Sequence, residues 1–145
     1  MSWNRPVTAI TLALTCLLTV GTAHAEEEAA TAVTMLSGAA AGRERFVDAC
    51  AFCHGLSGDG NGMAASMMDV TPANLTQLSK NNDGKFPLAH VYDVIDGRAS
   101  TASHGNREMP VWGDVWRRNV PEQYAEYYVR GRILELILYL DTIQE

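Results

Sequence analysis

The 145-residue chain has the length of a single domain, and 47% hydrophobic with 19% charged residues is ordinary globular composition, which excludes a chain disordered throughout. Its formal net charge of −6 argues against a nucleic-acid partner, because phosphate binding calls for a basic face.

In chain order, the first element is not expected to belong to the fold. Arg5 forms a small positive start, Val7 to Val20 is an apolar run without charge, and Ala23-His24-Ala25 places small residues before a cut after Ala25. Residues 1–25 therefore predict a secretory signal and a periplasmic destination. An uncleaved anchor is the alternative, disfavoured because the run is shorter than the roughly 18 residues a spanning helix needs. A lipidated Cys16 is disfavoured too, since it lies inside that run and follows Thr15. Cleavage would remove Arg5 and Cys16, leaving ten basic residues against 17 acidic ones, a net charge of −7, and only Cys50 and Cys53 as cysteines. Residues 26–38, three glutamates and then small residues, are expected to form a mobile spacer, and 39–145 the folded domain.

Gly42, Phe46 and Cys50 are spaced by four, which predicts a helix over Ala39 to Cys50 with these residues on one face. It delivers Cys50 to the segment "ACAFCHG". A glycine-rich loop follows from Gly55 to Asn74. Asp59, Gly60 and Asn61 imitate the start of a calcium loop, but Met63 stands where a third oxygen ligand is needed and Val70 where a glutamate belongs. A tight loop whose glycines allow close approach to a flat ligand is the preferred reading. Pro87 to Gly97 predicts a helix with a stripe of Leu88, Val91, Val94 and Ile95, and His90 falls just off that stripe as a surface residue. Met109 sits in "REMPVWGD", read as a loop stiffened by Pro110. Asn119, Pro121 and Glu122 signal a further helix start, Gly131 a break, and Ile133, Leu136, Ile137, Leu140 and Ile143 a mostly buried final helix.

The order C-x-x-C-H over Cys50, Cys53 and His54 carries the chemistry. A thioredoxin-like dithiol normally accompanies a βαβ pattern, and none is legible around residues 40–70. A structural zinc needs about four ligands, and there is no second cysteine pair. The reading that uses every residue is a covalent haem: each thiol adds across a vinyl group, and His54 reaches the iron. The sixth ligand could come from Met63, Met67, Met68, Met109, His90 or His104; Met109 stands out for its rigid loop, although a methionine is by default a core filler.

The ordered set of Gly42, Phe46, the haem motif, the glycines from Gly55 to Gly62, "TPANLT", "VIDGR", "MPVWG", Leu136 and Tyr139 resembles a class I monohaem c-type cytochrome of the bacterial periplasmic kind, from about Ala39 to Gln144. The resemblance implies an all-α cytochrome c fold, with N- and C-terminal helices crossing around one covalently bound haem and long loops between. It implies one haem c on Cys50 and Cys53, His54 and Met109 as axial ligands, and close crossing of Gly42 and Phe46 on Leu136 and Tyr139. Pro72 would supply the carbonyl that accepts the histidine Nδ1 proton. Arg98 and Trp112 are candidates for a haem propionate, with an exposed arginine and a core tryptophan as the alternatives. The implied function is one-electron transfer between redox protein partners, not catalysis and not nucleic-acid or stable membrane binding. A fixed subunit of a periplasmic oxidoreductase, or a ligand-binding haem protein if Met109 is not coordinated, remain open.

Overall fold

The computed structural model describes residues 9–97, 109–118 and 120–145. It divides into two compact units, residues 1–36 and 37–145. Within the described residues the secondary structure is helical, without strands. The first helix, α1, runs Ala9–Ala49 and α2 is the single turn Ala51–His54. After three short 3-10 turns come α3 (Leu88–Asp96), α4 (Trp112–Arg117) and α5 (Glu122–Thr142).

Residues 26–37 of α1 are exposed on every side, including Val33, Met35 and Leu36. The backbone expected to act as a spacer is thus helical here. Its threonines bond back along the helix, Thr31 Oγ1 to the Glu27 carbonyl and Thr34 Oγ1 to the Ala30 carbonyl, both at 2.9 Å. No helix among the described residues is long and apolar enough to cross a membrane.

In the second unit the residues expected to cross do cross. A Cβ on Gly42 would overlap the Glu135 carbonyl oxygen and come within 2.9 Å of the Tyr139 Cβ, so α1 approaches α5 backbone to backbone. One turn on, the Phe46 and Tyr139 rings lie 5.2 Å apart, tilted by 50°. Phe46 and Leu136 are both fully buried. Arg45 pairs with Glu135 at the edge of this contact. Phe46, Val129, Ile133, Leu136, Ile137 and Leu140 make one core with Val91 and Ile95 of α3.

Three local expectations are corrected. The stripe on α3 buries Val91 and Ile95, whereas Leu88 is exposed, and Asp96 is buried in its place. Gly97 caps α3 in the left-handed region (φ 92°), its N–H on the Asp93 carbonyl at 3.0 Å. Trp112 and Gly113 belong to α4, so the Met109 loop ends at Val111. Gly131 does not interrupt α5, which is continuous over 21 residues with Pro121 as its N-cap, two residues beyond the signal read at Asn119. Asn119 itself lies outside the described residues. The reason is tertiary: Val129 and Ile133 on either side are buried, and their burial outweighs the roughly 1 kcal/mol a helical glycine costs. Since nothing lies within 4 Å of a Cβ built on Gly131, Gly131→Ala should raise stability by up to about 1 kcal/mol, read as a higher urea midpoint at unchanged m-value.

Candidate haem-binding site

Cys50 occupies the turn between α1 and α2, yet the helical hydrogen bonds continue through it: its N–H donates to the Phe46 carbonyl at 2.9 Å, and the His54 N–H donates to the Cys50 carbonyl at 2.9 Å. The fully buried Phe46 therefore anchors the turn that carries both cysteines and His54. Cys50 and Cys53 are both free and half-buried. Burial, aided by neighbouring Cys53, pushes the Cys50 thiol up to about 12. That is opposite to the lowered thiol of a dithiol oxidoreductase, and it leaves Cys50 as S–H at neutral pH.

The loop after the motif closes over the carbonyls that the end of a helix leaves without partners. Ala64, Gly62 and Gly60 donate their N–H groups to the carbonyls of Phe52, Cys53 and His54, at 3.0, 3.1 and 2.8 Å. A Cβ on Gly60 (φ 88°) would meet the Pro72 carbonyl oxygen at 2.5 Å, so glycine is required both for the backbone angle and for the space. Asp59 turns inward on the loop, its Oδ1 accepting the Asn61 N–H at 3.0 Å.

His54 Nδ1 lies 2.9 Å from the Ala73 carbonyl oxygen. A carbonyl can only accept, so Nδ1 carries the proton and Nε2 presents a free lone pair, the tautomer a metal ligand requires. The acceptor is Ala73, not Pro72 as expected. The Pro72 carbonyl instead lies close to Gly60.

Met109 is half-buried and packs against the buried core, as Cys50, Leu75 and Trp112 also do. Trp112 stacks on Trp116 at 5.4 Å between ring centroids, so most of its role seen here is packing. Gly113 lets α4 approach α3: a Cβ there would lie 2.6 Å from both the backbone carbonyl oxygen and Oδ1 of buried Asp96. This contact fixes the chain two to four residues beyond Met109, and no signal in the sequence marked Asp96 for it. His90 is exposed on α3, and Met63 and Met67 are exposed in the loop. Arg98 and His104 lie outside the described residues.

These residues fit a haem. Two thiols three residues apart precede a histidine whose Nε2 is free to bind, and the nearby exposed apolar side chains of Phe52, Leu56, Met63 and Met67 offer the surface a porphyrin face seeks. An all-helical unit of crossed terminal helices, carrying this motif at the end of the first, defines the class: a c-type cytochrome. The family model described as cytochrome c oxidase, cbb3-type, subunit III matches residues 37–127, most of the second compact unit. The chain belongs to that family, a family of haem-based electron-transfer cytochromes with the cytochrome c fold and haem c as cofactor. Neither the curated proteins nor the solved structures provide a match to the chain.

Proposed function

We propose that this chain is a periplasmic, one-electron carrier with a single haem c, attached through Cys50 and Cys53 and ligated by His54 and Met109. The observation that carries the reading is the bond from His54 Nδ1 to the Ala73 carbonyl, which presents Nε2 to the iron and makes the imidazole a stronger donor. The haem supplies one-electron chemistry between ferric and ferrous iron. Cys50 and Cys53 would hold the group through thioethers, each S–H adding across one vinyl bond without an oxidant. His54 and Met109 would hold the iron between them, which would leave no place for a substrate and favours electron transfer over catalysis. A neutral nitrogen with a soft thioether favours ferrous iron relative to two histidines, so the reduction potential is expected to be fairly high. Export through residues 1–25 completes the reading, since it delivers the chain to the compartment of its partners.

Met109→Ala tests the ligand set. The ferric protein should lose its weak long-wavelength sulfur-to-iron band and gain rapid cyanide binding at neutral pH. An unchanged band would assign the sixth position to another methionine. Rapid cyanide or carbon monoxide binding by the unaltered protein would favour a ligand-binding haem protein.

A second reading has specific support. The matched family is described as a subunit of a cbb3-type cytochrome c oxidase, which favours a fixed subunit over a diffusing carrier. Co-purification of the native chain with a membrane oxidase after mild extraction would decide for the subunit.

A further inference from the structure

Gln144 lies just beyond α5, and its carboxamide is fully engaged. Nε2 donates to the Leu140 carbonyl of its own helix at 2.7 Å and to the Leu75 carbonyl at 2.8 Å, while Oε1 accepts the Ser79 N–H at 2.9 Å. The next N–H, that of Glu145, donates to the Thr76 carbonyl at 2.9 Å. Two residues at the chain's end thus hold the segment from Leu75 to Ser79.

That segment begins beside the partner of His54. Asn74 Oδ1 accepts from the Thr76 N–H at 2.9 Å and its hydroxyl at 2.8 Å, and Thr76 is buried. The Leu75 N–H donates to the Gly58 carbonyl at 2.7 Å. Ala73 precedes this clamp, and its own side chain is exposed, so burial does not locate its carbonyl. The chain on either side does: Gly60 against Pro72 and Ala73, and the residues held by Gln144.

We propose that Gln144 is a positioning residue for the proximal histidine, holding residues 75–79 so that the Ala73 carbonyl stays on His54 Nδ1. The proposal rests on His54 being an iron ligand. A weaker Nδ1–H bond makes the imidazole a poorer donor and stabilises ferric iron less, so loss of Gln144 raises the reduction potential. It also leaves the Nδ1 proton less protected against exchange.

The test uses the full haem-loaded protein and compares Gln144→Leu with the unaltered chain. Leucine removes all three hydrogen bonds and keeps an apolar side chain one atom shorter. His54 Nδ1–H exchange, followed by NMR, should accelerate about fivefold, the equivalent of a hydrogen bond worth about 1 kcal/mol, and the potential should shift upward. Unchanged exchange and potential would overturn the proposal. Gln144→Asn, which keeps the amide but is one methylene too short, should give the same direction and decides the matter if the leucine variant does not fold. Gln77→Ala removes the neighbouring exposed bond to Glu145 Oε2 (2.7 Å) and the longer one to Thr76 Oγ1 (3.3 Å) but leaves the three bonds of Gln144, and should leave both readings unmoved; an equal shift there would reduce the effect to general loosening and overturn it. His54→Ala separates the underlying reading: if the low-spin spectrum survives that change, His54 is not the ligand and the proposal falls with it.

Discussion

With Cys50 and Cys53 both replaced by alanine, the purified chain is expected to carry no haem that survives denaturation. Both thiols are free, three residues apart on the turn anchored by Phe46, and each can form one thioether. Cys50 packs against the buried core. Haem staining of a denaturing gel, after expression with competent maturation enzymes, should go from a strong band to none. Either single variant should keep covalent haem through the remaining sulfur. A stained band from the double variant would place the attachment elsewhere in the chain. Because the fold closes on this turn, loss of the group should also lower stability, by analogy with small metallo-domains whose binding energy is folding energy.

Gly42→Ala is expected to destabilise the haem-loaded protein by about 3 kcal/mol or more, the upper end of the cost of overpacking and a large share of a total of about 5–15 kcal/mol. Helix propensity alone predicts the opposite sign, a gain of up to about 1 kcal/mol. Contact decides, because the added Cβ overlaps the Glu135 carbonyl oxygen and lies 2.9 Å from the Tyr139 Cβ, and backbone cannot turn aside as a side chain can. Gly131→Ala is the matching control, the same substitution in a helix with open space around it. Urea titrations should move the two midpoints in opposite directions. A Gly42→Ala midpoint at or above that of the unaltered chain would mean that the helices do not meet at this glycine.

The two glycines show how far the sequence could be read. Gly42 was legible because it recurs with Phe46 and Cys50 at helical spacing and faces a final helix with its own periodic stripe. Gly131 was misread as a break because propensity is a weak local preference, whereas the burial of Val129 and Ile133 acts over the whole helix. The start of α4, Trp112 to Asp114, reads as loop from the sequence for a related reason: a helix of six residues does not stand by itself in water. It is held by Trp112 on Trp116, and by the close approach of Gly113 to Asp96. The Arg132 guanidinium adds a cover over the Trp116 ring at 5.8 Å.

The sequence by itself carried the proposal of the attachment chemistry, since two thioethers and an adjacent imidazole would demand those side chains in that order and at that spacing. It also determined the pair of terminal helices, whose periodicity is local. Only the tertiary structure decided which carbonyl accepts from His54 Nδ1, that of Ala73, because a backbone oxygen has no residue type to announce it. Likewise, Gln144 reaches Ser79 and Leu75 across 65 and 69 positions, and bonds of that span exist only after α5 has closed onto the loop.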